Sequence, residues 1–146
     1  MSEAFQTLSD GLAGVVASAG PAIVRIEARR HTPGSGILWS ADGLVVTASH
    51  VVRRDDNITV GLSDGQTAAA TLVGRDPSTD LAVLRVEGAT GAPLAQASEA
   101  EMSVGHLALA LARPGRTVQA ALGVVSALGD GWRTPMGGQI DRYLAT

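Results

Sequence analysis

Apolar residues recur at helical spacing only near the start of the chain. Leu8, Leu12, Val15, Val16 and Ala19 share one face of a helix that Ser9 or Asp10 can cap and that Gly20-Pro21 stops. From Ala22 onward the period changes to two. Val24, Ile26 and Ala28 fall on one face of a strand, and Arg25, Glu27 and Arg29 on the other. Two hairpins follow, each with its own turn chemistry. Ile37-Leu38-Trp39 and Leu44-Val45-Val46 flank Ala41-Asp42-Gly43, whose Asp-Gly step supplies the positive φ angles of a tight turn. Ile58-Thr59-Val60 and Thr71-Leu72-Val73 flank Ser63-Asp64-Gly65. Leu81-Ala82-Val83-Leu84 reads as a further, buried strand. Short strands separated by turns, without helices between them, predict an antiparallel barrel or sandwich.

A Gly/Ala/Pro-rich stretch then interrupts the pattern, before strand-like runs resume at Leu107 to Ala112 and Val118 to Leu128. A glycine-rich loop from Gly129 to Gly138 leads to a last run, Ile140 to Leu144. About three strands are too few to close a second barrel. The expected division is a helical segment at 1–21, a first barrel at 22–88, a linker at 89–103 and the start of a second barrel at 104–146.

Composition narrows the chemistry. The chain has 146 residues, 45% of them apolar, enough for a real core. Net charge is −3, and all eleven basic residues are arginines scattered without a stripe, which argues against nucleic acid as partner. The chain has no cysteine, which excludes thiol catalysis, disulfides and Cys₂His₂ metal sites. Met1 to Phe5 carries no basic-then-apolar leader pattern. Leu12 to Val24 is too short, and too broken by Gly14, Gly20 and Pro21, to span a membrane.

Two residues stand where catalytic groups would. His50 follows a buried strand directly, where the chain must leave the barrel, and histidine is the residue type suited to act as a general base. Asp80 begins another apolar strand, 80 − 50 = 30 positions later. A half-buried carboxylate at that boundary can accept an imidazole N–H and fix its tautomer. On spacing alone, a histidine at a strand end is more often a surface or turn residue, and an aspartate before a strand more often a turn cap.

Three segments taken together resemble one family. Thr47-Ala48-Ser49-His50-Val51-Val52, preceded by Gly34-Ser35-Gly36 and the Asp42-Gly43 turn, resembles the histidine segment of HtrA-type (DegP-like) trypsin-like serine proteases. Asp76-Pro77-Ser78-Thr79-Asp80-Leu81-Ala82-Val83-Leu84 is similar to the aspartate segment of that family. Gly123-Val124-Val125-Ser126-Ala127-Leu128-Gly129 resembles the strands that open its second barrel. The resemblance implies an all-β, chymotrypsin-like fold with a short N-terminal helix, a complete first barrel and an incomplete second one. It makes His50 the general base and Asp80 the residue that orients it, in peptide-bond hydrolysis through an acyl-enzyme, with no metal or organic cofactor.

The nucleophile of the family lies in a Gly-x-Ser-Gly-Gly turn that also forms the oxyanion hole. By resemblance, that turn belongs roughly ten residues beyond Thr146. No Gly-x-Ser-Gly follows Asp80 within the chain. Ser35 is expected to be structural, Ser49 is too close to His50 in sequence to pair with it, and Ser126 matches a strand position. His31 reads as a loop residue and His106 as a barrel-surface residue. Each oxyanion donor is worth roughly 3–4 kcal/mol, so the 146-residue chain alone is expected to be inactive. Polypeptide is the implied substrate, a homotrimer the implied assembly, and a periplasmic or other extracytoplasmic site the implied location. The alternative is a non-catalytic, protease-like binding module that pairs its open strand edges with another chain.

Overall fold

Alternation of apolar and polar residues builds the first half of the molecule. The computed structural model describes residues 2–28, 32–89 and 91–146, so His31 lies outside the described residues. Six strands, β1 (Ile23–Glu27), β2 (Gly34–Leu38), β3 (Leu44–Ala48), β4 (Ile58–Gly61), β5 (Thr67–Asp76) and β6 (Leu81–Val86), close into an antiparallel barrel ordered β1-β2-β3-β6-β5-β4. Pairing of β4 back onto β1, with Ile26 opposite Val60, completes the ring. The inward residues are those the period of two selects. Val24, Ile26 and Ala28 are buried, and so are Val45 and Leu84, which face each other across β3 and β6. Each of the valine, isoleucine and leucine side chains among them, taken fully out of water, contributes about 1.5–3 kcal/mol.

The turns follow their sequence signals with two differences. Between β2 and β3, Trp39 N–H bonds to Leu44 O at 2.7 Å, and Gly43 alone of the Asp-Gly pair takes a positive φ, +89°. A Cβ at Gly43 would lie 2.6 Å from Val86 O, so no larger residue fits there. After β4, Gly65 has φ +86° while Asp64 Oδ1 accepts Gln66 N–H at 2.9 Å. That Asx turn starts β5 at Thr67, so β4 pairs with Thr67 to Ala70 and not with the predicted 71–73. Residues 71–76 pair instead with β6 through a bulge at Leu72/Gly74.

At the N-terminus, helix α1 (Glu3–Ala19) begins earlier than expected, with Ser2 at the N-cap position and Ser9 and Asp10 inside the helix. Most of its apolar face stays in water; Ala19 is its one buried residue. No helix among the described residues is long and apolar enough to cross a membrane.

The second half forms two ladders. Strand β7 (Leu107–Ala112) pairs with β8 (Gln119–Val124), and β9 (Ala127–Arg133) with β10 (Gln139–Ala145). The predicted run from Val118 to Leu128 is therefore two strands. Val125 N–H bonds to His106 O beside β7, and Ser126 N–H to Ala145 O on β10, each at 2.8 Å. The chain changes partner between those residues, a break marked in the sequence only by Ser126. Ser126 thus lies between strands and not within one. Gly129 to Arg133, expected in a loop, is strand. These ladders make a partial second barrel beside the closed first one.

One buried side chain joins the parts. Arg113 follows β7 and sends Nε to Ile23 O (2.6 Å), Nη2 to Gly20 O (2.8 Å) and Nη1 to Arg116 O (2.6 Å). Gly20 ends α1 and its carbonyl also accepts Ile23 N–H, so the cation adds a second bond at the negative end of the helix. The backbone N–H of Arg113 bonds to Ser35 Oγ at 2.8 Å.

Candidate active site

Antiparallel pairing explains how two residues 30 positions apart come together. Strands β3 and β6 are neighbours, and Ala48 at the end of β3 is paired with Leu81 at the start of β6. The residues just beyond those ends must therefore emerge at the same rim of the barrel. There Ser49–Val51 forms a single 3₁₀ turn, and Asp80 closes the loop that precedes β6.

Three hydrogen bonds lock the junction. Asp80 O accepts Ser49 N–H at 2.9 Å, Asp80 Oδ1 accepts His50 N–H at 2.9 Å, and His50 Nδ1 lies 2.6 Å from Asp80 Oδ2. Asp80 adopts φ +57°, the left-handed region that non-glycine residues seldom occupy. From there both its carbonyl and its carboxylate address residues 49 and 50.

The His50 backbone N–H, then its ring N–H, hold the Asp80 carboxyl below the 3.8 of an unperturbed aspartate, against a smaller opposing effect of desolvation. An ionised carboxylate only accepts, so the Asp80 contact places the proton of a neutral ring on Nδ1 and leaves Nε2 with a free lone pair. The two side chains are 63% and 50% exposed. The ring is open to solvent, and the carboxylate, expected to be half-buried, is exposed as well.

Several neighbours matter that sequence reasoning passed over. Arg75 donates to Val52 O (2.8 Å) and to Asp55 Oδ1 (2.6 Å), fixing the chain as it leaves the His50 turn. Asp76 Oδ1 accepts both Ser78 N–H (2.9 Å) and Ser78 Oγ–H (2.5 Å), while its Oδ2 accepts Thr79 Oγ–H (2.9 Å). The signal was present as Asp-Pro-Ser-Thr, since an aspartate followed by hydroxyl residues two and three places on favours an Asx turn. Thr134, in the β9–β10 turn, donates its hydroxyl to Ser78 O at 2.7 Å.

The remaining candidates are elsewhere. Ser35 lies in β2, where its Oγ accepts the Arg113 N–H. Ser49 is buried beside His50, with its N–H on Asp80 O. His106 is exposed just before β7, its Nδ1 accepting Ser103 N–H at 3.3 Å.

Comparison with known proteins fits this geometry. Residues 34–145, most of the chain, match the trypsin-like peptidase domain family. The chain belongs to the trypsin-like peptidases. Among curated relatives it is 38% identical over 128 residues to the serine protease PepD of Mycobacterium tuberculosis, covering 78% of this chain and 28% of that protein. It is 36% identical over 110 residues to the serine endoprotease DegS of Haemophilus influenzae, covering 75% of this chain and 32% of the relative. With a probable periplasmic DegP-like serine endoprotease of Ectopseudomonas mendocina, identity is 44% over 98 residues, 66% of this chain and 20% of the relative. This peptidase is therefore of the HtrA/DegP-like type, and the chain spans about a third or less of the length of these relatives.

Proposed function

We propose that this peptidase chain supplies the general base and its orienting carboxylate to an HtrA-type serine endopeptidase. In this reading His50 takes the proton of a nucleophilic serine through Nε2 as the serine attacks a peptide carbonyl. It then returns that proton to the leaving amine, and water hydrolyses the resulting acyl-enzyme. Asp80 acts through His50, keeping the Nδ1–H tautomer and stabilising the imidazolium that forms. The observation that carries the reading is the 2.6 Å contact between His50 Nδ1 and Asp80 Oδ2, made while Asp80 Oδ1 grips the His50 backbone.

The serine and oxyanion hole belong, in this proposal, to a Gly-x-Ser-Gly turn encoded beyond codon 146. The substrates are exposed or unfolded polypeptide segments, the assembly is a homotrimer and the location is extracytoplasmic; all three rest on the resemblance. Incubating the longest natural product of the gene with a denatured polypeptide tests the reading. Fragments should accumulate with the unaltered protein and be lost in His50→Ala. Absence of a Gly-x-Ser-Gly turn in the next few dozen codons, or undiminished cleavage by His50→Ala, overturns it.

A second reading, a non-catalytic module that pairs with another chain, draws support from the exposed apolar residues Leu107, Leu122 and Val124 on the β7–β8 ladder. A folded monomer by light scattering, with protected amides across 107–144, would contradict the open strand edges that this reading needs.

A further inference from the structure

The loop that carries Asp80 is held from both sides, and neither hold touches His50. Within the loop, the Asp76 carboxylate gathers Ser78 N–H, Ser78 Oγ–H and Thr79 Oγ–H at 2.5–2.9 Å. From the second half, the β9–β10 turn packs on Ser78. Thr134 Oγ donates to Ser78 O, and a Cβ at Gly138 would stand 2.6 Å from that same oxygen. Immediately after these tethered residues the backbone enters the left-handed conformation at Asp80.

Without a tether, residues 77–79 have no reason to deliver Asp80 at φ +57°, because the ordinary right-handed and extended regions are lower in energy for an L-residue. A rotation at Asp80 would carry its carbonyl away from Ser49 N–H and its carboxylate away from His50 Nδ1 together.

We propose that Asp76 is a positioning residue for the His50–Asp80 pair, its carboxylate shaping the 76–80 loop so that Asp80 meets the ring. The proposal rests on the reading of His50 as general base. Asp76 touches neither the ring nor any reacting atom, so it acts through Asp80. All three bonds need an acceptor oxygen at position 76, and the third needs a second one. Asparagine keeps the oxygen that serves Ser78 and replaces the one that serves Thr79 with a donor. Alanine keeps neither.

The tautomer of His50 reports this directly and does not require an assembled enzyme. It can be read by long-range ¹H–¹⁵N correlation of the histidine side chains at a pH where the ring is neutral, with His50→Gln identifying the His50 signals among the three histidines. The unaltered chain should show the Nδ1–H form. Asp80→Ala should shift the ring to the Nε2–H form that a free histidine prefers. Asp76→Ala should shift it in the same direction with the barrel backbone amides unmoved, and Asp76→Asn should fall between.

An unchanged tautomer in Asp76→Ala, while Asp80→Ala responds, overturns the proposal and leaves the pair itself standing. An unchanged tautomer in Asp80→Ala overturns the pair, and the role of Asp76 with it. If Asp76→Ala disrupts the barrel amides, Asp76→Asn decides. A partial shift supports the proposal, and the unaltered tautomer contradicts it.

Discussion

Replacing Arg113 with alanine removes three charged hydrogen bonds from a side chain that is only 5% exposed. Two of their acceptors, Gly20 O and Ile23 O, make buried bonds to the guanidinium, while the bond to Arg116 O is only partly buried. A hydrogen bond to a charged group contributes about 1.5–3 kcal/mol net. Two such losses, with the outer bond discounted because water can replace it, come to about 3–6 kcal/mol. With a urea slope of about 2 kcal/mol per molar for a domain of this size, the unfolding midpoint should fall by roughly 1.5–3 M. Trp39 and Trp132 lie in the two halves that Arg113 joins, so tryptophan fluorescence follows both. Arg113→Lys keeps the charge but satisfies about one carbonyl, and should recover less than half of the loss. A midpoint change equivalent to less than about 1 kcal/mol in Arg113→Ala would refute the view that these bonds anchor α1 and the second half to the barrel.

Other consequences follow from burial and charge. Leu84 is fully buried opposite Val45, whereas Leu81, three residues earlier on the same strand, is half exposed. Leu84→Ala should destabilise by about 2–5 kcal/mol and Leu81→Ala by under about 1 kcal/mol, measured by urea unfolding; similar values for both would contradict the inward assignment. Asp42, Asp76 and Asp80 are each held below 3.8 by hydrogen bonds, first from the Ser40 side chain, the Ser78 side chain and the His50 backbone respectively. A depressed folded value means stability that is present above pH 3.8 and lost as pH falls through the lower folded value. Midpoints measured from about pH 5 down to about pH 2 should therefore drop, and drop less steeply in Asp76→Asn; an identical acid limb in that variant would contradict the assigned hydrogen bonds.

Most of the first barrel was legible because one face of each strand is dry. Alternation at Val24, Ile26 and Ala28 and the glycines at 43 and 65 marked strands and turns with a mechanism behind each. The order of strands was not legible. Placing β6 beside β3 is a long-range choice that neither strand's own residues encode, and it alone brings position 80 to position 50. The histidine and aspartate were therefore singled out by resemblance, not by spacing. Arg113 escaped notice for a related reason. An arginine after an apolar run reads as solvent-facing, and its partners are the carbonyls of Gly20, Ile23 and Arg116, two of them about 90 residues away and none of them marked by residue type. At Val125–Ser126 the opposite occurred: a mostly apolar stretch, broken there only by a serine, hid a change of strand partner.

The central proposal is that His50 serves a nucleophilic serine in an HtrA-type peptidase. An active-site fluorophosphonate, which reacts only with an activated serine, tests it most directly on the longest natural product of the gene. The account predicts labelling of a single serine in a Gly-x-Ser-Gly turn, nearly abolished by His50→Ala and strongly reduced by Asp80→Ala. Failure of the unaltered protein to label, or labelling indifferent to His50→Ala, would contradict it.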